Sequence, residues 1–261
     1  MDNYGICLMS VVPCRQQPNS TSEMVTQLLF GETYHIIEEQ ESWIFIHTTF
    51  DNYPCWISRK QHQYLSQKEF NQLTNTTLNT ELVQIITCAE NNAVFPITIG
   101  ASLPQFHEGK LTVANKTYSF DGNITSSDGS KSLEEIKQTA YLFLNAPYLW
   151  GGRSPFGIDC SGFTQLVFKL NGYKIPRDAS PQVELGVALS FVEEAQVGDL
   201  AFFDNEQGAI THVGLVLENQ HIIHASGSVR VDKFDHYGIF HSDTKKYSHS
   251  LRVIKTGIVN Q

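Results

Sequence analysis

Residues 148–163 read YLWGGRSPFGIDCSGF and place one of the chain's five cysteines in an unusual setting. Cys160 follows an acid, Asp159, and precedes the small pair Ser161-Gly162, after which an apolar, helix-compatible run begins at Phe163. A free cysteine is most often a small buried core residue. A reactive thiol instead needs a lowered pKa and an accessible sulfur, and the first turn of a helix favours an anion through its unpaired N–H groups. The stretch therefore predicts either a core cysteine or a nucleophile at a helix start.

Two of the ten histidines lie where they could serve a nucleophilic cysteine. His212 opens the strand-like run HVGLVL, His224 closes the next run, HIIH, and Asn219-Gln220 between them is typical of a turn. A hairpin centred near residue 218 brings both imidazoles to its open end, where the three side chains fit the roles of nucleophile, base and orienting partner. Two surface histidines at strand ends are the alternative. A metal site is disfavoured because Cys160 has no C-x-x-C or H-x-x-x-H partner, and no metal is expected.

The bulk composition describes an ordinary globular protein and excludes several classes of function. The net charge is −9, so the surface should repel phosphate backbones and no nucleic-acid partner is expected. No run approaches 18 apolar residues, so no membrane span is expected. The N-terminal stretch MDNYGICLMSVVPCR lacks a basic region and does not resemble a signal peptide. We expect a cytoplasmic monomer with no cofactor, and a periplasmic or secreted protein only if a leader has been removed. All five cysteines are expected to be reduced, and a disulfide within the first 60 residues is the alternative.

The chain divides into three predicted parts. Short apolar or alternating runs fill residues 1–66 and indicate a small β-barrel or sandwich. A polar stretch follows, interpreted as a short helix and a linker, and residues 67–125 then predict a second small β-domain with a hairpin in LTVANKTYSF. Residues 121–130, DGNITSSDGS, have the composition of a linker. From 130 to 261, predicted helices precede a run of antiparallel strands, which is the α+β pattern.

Local signals position the helices of the last part. Ser132 and Glu135 have capping-box spacing and predict a helix start. A second helical run extends to Leu170, where Asn171-Gly172 ends it. The runs VGDLAFFD (197–204) and VRVDKF (229–234) predict strands on either side of the histidine hairpin.

Five blocks of sequence resemble the NlpC-type family of bacterial cysteine peptidases. They are, in order, YLWGGRSPFGIDCSGF, RDASPQ, VGDLAFF, THVGLVL and HIIHASG, and they cover residues 132–261 approximately. The resemblance implies a papain-like fold, with the nucleophile on a helix packed against an antiparallel sheet. It implies that Cys160 is the nucleophile, His212 the base and His224 the third polar residue. Members of the family hydrolyse bacterial cell-wall peptides, typically after γ-linked D-glutamate.

The first part of the chain resembles the YkfC-type subgroup, in which two SH3-like domains precede the peptidase. SEMVTQLLFGE (22–32) and DNYPCWIS (51–58) carry this resemblance. A Glu and a Tyr of the first domain close one end of the active site in that subgroup, and they match Glu23 and Tyr53. The fold class implied is α+β, a papain-like peptidase domain preceded by two small all-β SH3-like domains.

The resemblance also implies roles for residues near the nucleophile. They are Tyr148, Trp150, Asp159, Ser161, Arg177 and Asp178. Tyr148 is expected to donate its hydroxyl to the oxyanion beside the Cys160 N–H. Asp159 is expected to help bind the substrate's free amine, Ser161 to contact the γ-D-glutamyl group, and Trp150 to wall the pocket. For Arg177-Asp178, substrate binding and the pinning of a loop are both open.

The activity implied is hydrolysis of the γ-D-glutamyl–diamino acid bond in small murein peptides that have a free N-terminal L-alanine. An acidic side chain at position 23 would pair with the peptide's ammonium and exclude substrates that lack one. Two other functions are weighed against this one: an amidase or acyltransferase of the same fold, and a non-catalytic cell-wall-binding protein anchored by its SH3-like domains. A binding protein has no chemical use for a cysteine and two histidines at workable spacing.

Overall fold

The structure is a computed structural model, and it describes residues 3–73, 77–127, 132–242 and 244–260. Met1–Asp128 and Trp150–Pro155 form one compact unit, and Gly129–Leu149 and Phe156–Gln261 form a second. Residue 130, where the last predicted domain begins, lies outside the described residues. So do residues 74–76 and 128–130 of the two predicted linkers. The division into three domains stays a prediction.

The first unit opens with a seven-stranded antiparallel sheet. Its strands are β1 Tyr4–Ile6, β2 Val11–Arg15, β3 Met24–Leu29, β4 Thr33–Glu39, β5 Trp43–Thr48, β6 Pro54–Ser58 and β7 Gln63–Leu65. They pair in the order β3-β2-β6-β5-β4-β1-β7. Alternation along β5 buries Ile44 and Ile46 completely against Val12, Leu28 and Ile57. The short strands and turns predicted from the alternating sequence are confirmed here.

A second β-region completes the first unit. Its elements are the helix α1 Gln67–Gln72 and the strands β8 Thr77–Asn79, β9 Val83–Cys88, β10 Ala93–Thr98, β11 Lys110–Val113, β12 Lys116–Ser119 and β13 Ile124–Ser126. A four-stranded sheet has the order β10-β9-β12-β11, and β13 pairs with β8. The predicted hairpin is confirmed: Ala114 and Asn115 both have positive φ between β11 and β12.

The linker predicted for residues 121–130 is wrong in part, because Ile124–Ser126 is a strand. Its composition is turn-like, but its backbone groups pair in register with Thr77–Asn79. The two β-regions also share one core cluster, in which Phe30 and Leu65 pack with Ile86, Ile97 and Tyr118. At Ile124–Ser126, pairing with a strand distant in the sequence therefore overrides the local preference for a loop.

Residues Trp150–Pro155 belong to the first unit although their chain neighbours belong to the second. The short strand β14, Arg153–Ser154, lies in this segment. The Arg153 guanidinium is buried and bonds both carboxylate oxygens of Glu32 at 3.0 Å, while its backbone N–H donates to Gln27 Oε1 at 2.7 Å. This buried, bidentate ion pair holds the segment in place. Moving the segment away would separate the two partners and leave a buried charge uncompensated.

In its described residues, the second unit has three helices and a predominantly antiparallel set of strands. The helices are α2 Leu133–Leu142, α3 Cys160–Leu170 and α4 Ala179–Gln182. The strands are β15 Gly157–Ile158, β16 Val187–Ala188, β17 Leu200–Asp204, β18 Ile210–Leu217, β19 His221–Ser226, β20 Ser228–Asp235, β21 Gly238–His241 and β22 Lys246–Thr256. Short 3-10 turns occupy Arg59–Gln61, Val192–Glu194 and Ile258–Asn260 across the chain.

The main sheet of this unit has the order β16-β22-β17-β18-β19-β20-β21, and β21 pairs with β22 as well, so six strands close on themselves. Phe203, Val216, Ile222 and Phe234 lie in its buried core cluster. The helix α3 is buried along its whole length and lies against β18 and β19. Within the described ranges, no helix is both long and apolar enough to cross a membrane.

Candidate active site

The helix α3 begins at Cys160, as predicted from its sequence. Asp159 is the N-cap, and its Oδ1 accepts a hydrogen bond from the Gly162 N–H at 2.7 Å. The predicted capping box of the preceding helix is also present, with Ser132 and Glu135 bonded reciprocally. The Asp159 cap fixes the start of α3 and with it the thiol.

The Cys160 sulfur lies against the backbone of β18. Strands β18 and β19 pair over Leu215–Leu217 and His221–Ile223. Val213 lies beyond this pairing, toward the open end of the hairpin, and its N–H bonds the Cys160 sulfur. A backbone donor at the sulfur favours a thiolate. The Cys160 thiol is thus held beside the residue that follows His212.

The free thiol itself is not acidified. Burial, reinforced by the Asp159 carboxylate, raises the pKa of Cys160 to about 11, and the N–H groups of Val213 and Ser161 and the Arg177 guanidinium oppose this rise. The expectation that the helix start lowers the thiol's pKa is therefore wrong for the free protein. Cys160 is only 7% exposed, and desolvation outweighs the helix end.

The two predicted histidines are brought together by their hairpin. His212 Nε2 lies 2.8 Å from His224 Nδ1, and both side chains are buried. The turn is at Asn219-Gln220, both with positive φ, and the strands pair as Leu217 with His221, one residue later than the predicted centre. Alternation still turns both imidazoles to the same face.

The histidine pair continues into an acid and an arginine. His224 Nε2 lies 3.1 Å from Asp232 Oδ2, and Arg230 bonds that carboxylate through Nε at 2.6 Å and through a terminal nitrogen at 2.9 Å. Burial raises the pKa of Asp232, but hydrogen bonds from His224 and Arg230 outweigh it and lower the pKa to about 2. The carboxylate is therefore ionised and can only accept hydrogen bonds.

With Asp232 as an acceptor, one set of proton positions satisfies the hydrogen bonds along this chain. Asp232 accepts from His224 Nε2–H, so His224 Nδ1 is an acceptor, and His212 Nε2 must donate to it. Burial lowers the pKa of both histidines, strongly so for His212, and both are neutral in the free protein. The lone pair of His212 is then on Nδ1, which makes that atom the available general base.

A further histidine covers the base. The His249 ring stacks on His212 with centroids 4.1 Å apart and planes inclined by 24°. Burial, with His224 as the next cause, lowers the pKa of His249 to about 4, so it is neutral at pH 7. Its ring excludes water from one face of His212.

Sequence reasoning missed Asp232, Arg230 and His249. The signal for the first two was present: Gly227 has positive φ, and a hairpin centred on it pairs His224 with Arg230 and puts Asp232 on the same face. His249 had no such local signal, because β22 reaches the site by pairing with β17.

A buried ion cluster surrounds the N-cap of α3. Arg177, 2% exposed, bonds Asp159 Oδ2 at 2.6 Å and Oδ1 at 2.9 Å, and Ser161 Oγ at 3.0 Å. Asp178 is the residue that flanks α4. The structure thus brings together three predicted site residues, and the charge of Asp159 is already balanced by Arg177.

Tyr148 lies in the strand-like bridge that precedes α3, beside Ile158. Its backbone N–H donates to the Gly227 carbonyl at 2.9 Å. Burial, then the proximity of Cys160 and Asp159, raises the pKa of the Tyr148 phenol to about 12. The hydroxyl is therefore a neutral donor at pH 7.

The remaining predicted site residues belong to the first unit. The Trp150 indole N–H donates to Glu23 Oε1 at 2.6 Å, although the indole is 60% exposed. Gly151 has φ +74, and a Cβ there would lie 2.2 Å from the Met24 carbonyl oxygen, so only glycine fits beside the tryptophan. Tyr53 packs against the core of the first sheet. Trp150 and Glu23 are joined directly.

Comparison with known proteins gives the chain's family. Residues 145–248 match the NlpC/P60 family, and residues 14–61 match the bacterial dipeptidyl-peptidase SH3 domain. A γ-D-glutamyl-L-lysine dipeptidyl-peptidase of Bacillus subtilis is 31% identical over 225 residues, which are 77% of this chain and 71% of that protein. The chain belongs to the NlpC/P60 family. As a member of this family of cysteine peptidases it is a hydrolase.

Other relatives agree with this NlpC/P60 assignment. A Bacillus cereus γ-D-glutamyl-L-lysine dipeptidyl-peptidase is 29% identical over 237 residues, 81% of this chain and 70% of that protein. The crystal structure of an NlpC/P60 family protein from Bacillus cereus superposes with a TM-score of 0.84 at 23% identity, over 97% of this chain and 99% of that one. This similarity establishes the fold.

A group of histidines, as in this NlpC/P60 peptidase, is also a common metal ligand set. In the part of the chain that the structure describes, no three His, Cys, Asp or Glu side chains are grouped so that they could hold a metal ion.

Proposed function

We propose that this peptidase cuts the γ-D-glutamyl–diamino acid bond of murein peptides that have a free N-terminal L-alanine. The observation that carries the proposal is the row of hydrogen bonds from His212 through His224 to Asp232. It leaves a base, His212, on β18 next to Val213, whose N–H bonds the Cys160 sulfur. Two relatives named for γ-D-glutamyl-L-lysine dipeptidyl-peptidase activity support the choice of bond.

The reaction follows from the proton positions. The Cys160 sulfur attacks the γ-carbonyl carbon of D-glutamate while His212 Nδ1 takes the thiol proton, so thiolate forms only as the new bond forms. His212 returns that proton to the amine of the diamino acid as the C–N bond breaks and a thioester remains. Water, deprotonated by His212, then attacks the thioester and releases L-alanyl-D-glutamate and the thiol.

Two donors serve the tetrahedral intermediate in this mechanism. They are the Cys160 N–H at the start of α3 and the Tyr148 hydroxyl, whose raised pKa keeps its proton in place. Removal of one such donor costs about 3 kcal/mol in comparable acyl-transfer sites.

The substrate's ammonium is assigned to Glu23. The Asp159 carboxylate is balanced by Arg177, whereas in the described part of the chain Glu23 has an indole partner and no cation. An unbalanced carboxylate discriminates strongly, since a substrate without an ammonium leaves it unpaired. Tyr53, Trp150, Ser161 and Asp178 complete the proposed set of substrate contacts.

Finer points of architecture are part of the same proposal. The packing of α3 on β18 and β19 supports a papain-like arrangement, and the separate sheet β10-β9-β12-β11 supports a second SH3-like domain. The boundaries proposed are 1–66, 67–125 and 130–261. Monomeric state and cytoplasmic location stay predictions.

The activity is tested by incubating the protein with L-alanyl-γ-D-glutamyl-L-lysine and with its N-acetylated form, and identifying the products by mass. We expect L-alanyl-D-glutamate and lysine from the free peptide and little cleavage of the acetylated one. Cleavage of neither peptide, or transfer to an added amine without hydrolysis, would contradict the proposed function.

The amine-binding role is tested by Glu23→Gln, which keeps the shape and removes the charge. A charge-assisted contact is worth roughly 1.5–3 kcal/mol, so kcat/KM on the free peptide should fall about 10- to 100-fold. Glu41→Gln, an exposed acid between β4 and β5, is the matched control and should have no effect. Equal cleavage of free and acetylated peptides by the unsubstituted protein would return Glu23 to the class of surface residues.

A further inference from the structure

Asp232 is a buried carboxylate that the proposed mechanism does not use directly. Asp232 is 4% exposed, and its Oδ2 lies 3.1 Å from His224 Nε2. Arg230 donates hydrogen bonds to both of its carboxylate oxygens. Desolvating a carboxylate is costly unless its partners repay that cost, and apolar packing would serve stability equally well. The pairing of an ionised acceptor with a histidine that touches the base points to a role in the reaction.

The alternative arrangement shows what Asp232 contributes. An isolated His212–His224 pair can share its proton in either direction, because each neutral imidazole has one donor and one acceptor. In the reversed arrangement, His224 Nδ1–H donates to His212 Nε2, and the proton of His212 is then on Nδ1. That tautomer has no lone pair for the thiol proton.

We propose that Asp232, held by Arg230, is a positioning residue that fixes the tautomers of His224 and His212 and so keeps His212 Nδ1 free to accept the thiol proton. The kinetic part of this inference rests on the proposed function, whereas its tautomer part does not. Arg230 contributes by bonding both carboxylate oxygens, which prevents the carboxyl group from rotating away from His224.

The groups that face the pair come from four strands. The His249 ring of β22 stacks on His212, and the Phe203 ring of β17 lies tilted beside it. Arg230 is on β20 and His241 on β21, and His241 Nε2 lies 2.8 Å from an Arg230 terminal nitrogen. Asp232 is the anion and Arg230 the cation in this set. Any shift in the pH profile on changing either residue can therefore be read by its sign.

The tautomers can be measured without substrate. Two-bond nitrogen–proton correlation spectra of the protein with 15N-labelled histidine separate Nδ1–H from Nε2–H tautomers, and His212→Gln and His224→Gln assign the two rings. We expect both rings as Nε2–H in the unsubstituted protein at pH 7.5. In Asp232→Asn, where the amide can donate instead of accept, we expect a mixture or a reversal.

Kinetics give the second readout. Asp232→Asn should lower kcat about 10- to 100-fold with KM little changed. A general base accelerates the reaction about 10²- to 10⁴-fold, and part of this rate factor is lost when a fraction of His212 is in the tautomer that cannot accept the proton. Loss of the anion should also move the acidic limb of kcat/KM to lower pH, since imidazolium is less stabilised. Asp235→Asn, on the same strand and bonded to Tyr237 and Tyr247, is the matched control and should match the unsubstituted protein in both respects.

Arg230→Gln keeps the test decisive if Asp232→Asn does not fold. Arg230 is partly exposed. Burial is the main cause of the lowered pKa of His224 and the charge of Arg230 adds to it, so removing Arg230 should move the acidic limb to higher pH while kcat falls. Opposite shifts in the two variants support a positioning role. Unchanged tautomers and unshifted limbs, with loss of thermal stability alone, would overturn it and leave the proposed function intact, whereas an inactive unsubstituted protein would overturn the proposed function and leave the tautomer result standing.

Discussion

Cys7 and Cys160 are both buried thiols, but the two units surround them with different groups. Cys7 is fully enclosed in the core of the first sheet, its S–H reaches the Met9 carbonyl at 3.3 Å, and burial raises its pKa far above the ordinary value. Around Cys160 the polar neighbours are the Asp159 carboxylate, two backbone donors, Val213 N–H and Ser161 N–H, and one cation, Arg177. Burial by itself therefore does not distinguish a core cysteine from a nucleophile.

The difference lies in what happens once the proton leaves. Burial is the main cause of the raised pKa of Cys7, a backbone hydrogen bond from Met9 opposes it, and the nearby Glu32 carboxylate adds to it. Cys160 likewise has an opposing backbone hydrogen bond, from Val213, and a carboxylate that adds to the rise, Asp159, but it also has the Ser161 N–H and the Arg177 guanidinium beside it and a histidine pair on the adjacent strands. Preorganised donors stabilise charge without a reorganisation cost, so the same residue type acquires chemistry at only one of these positions.

The largest effect is expected for Cys160→Ala or Cys160→Ser. Hydrolysis of the γ-D-glutamyl peptide should fall by about 10⁴-fold or more, because the thioester of the proposed mechanism forms on Cys160. Folding, followed by circular dichroism, should be retained. Cys7→Ala is the control and should keep kcat/KM. Ordinary turnover by Cys160→Ala would refute the mechanism.

The histidines should rank in the order of their distance from the proton that moves. His212→Ala removes the base and should cost about 10²- to 10⁴-fold in kcat. His224→Gln keeps a polar partner for His212 and should cost less. The measurement is kcat for both variants on the same peptide, and the opposite ranking would exchange the two roles.

The ionisation of the thiol gives a prediction with a definite sign. Because the pKa of Cys160 is raised to about 11 and that of His212 is lowered, thiol and imidazole should both be neutral between pH 6.5 and 8. The thiolate absorbance at 240 nm, taken as the difference from Cys160→Ala, should appear only as the pH rises toward 11. The rate should fall on the acid side as the pH drops through the lowered pKa of His212. A thiolate signal at pH 7 would instead indicate a preformed ion pair.

The smallest effect is expected for stability. Cys7→Ala removes a fully enclosed sulfur from the first sheet's core and should lower the free energy of unfolding by about 1–2 kcal/mol. Cys160→Ala should lower it by less, because loss of the sulfur also relieves the crowding of buried polar groups at the start of α3. Urea unfolding of both variants compares them, and a larger loss for Cys160→Ala would mean that the thiol is chiefly structural.

Much of the site was encoded locally. The cap at Ser132, the helix start at Cys160 and the turn at Asn219-Gln220 each depend on a few adjacent residues, and all three are in the structure. The alternation of β19 and β20 around Gly227 also contained Arg230 and Asp232, although that hairpin was not used to find them.

The sequence by itself determined which residue types occur at helix starts, at turns and on strand faces, because periodicity and capping act over one or two turns of chain. Only the tertiary structure decided the Arg153–Glu32 pair, 121 residues apart, the stacking of His249 on His212, and the pairing of Ile124–Ser126 with Thr77–Asn79. It also decided that the pKa of Cys160 is raised, whereas the helix start by itself predicts a lowered pKa. Desolvation is a property of everything packed around an atom, and that environment is assembled from segments far apart in the chain.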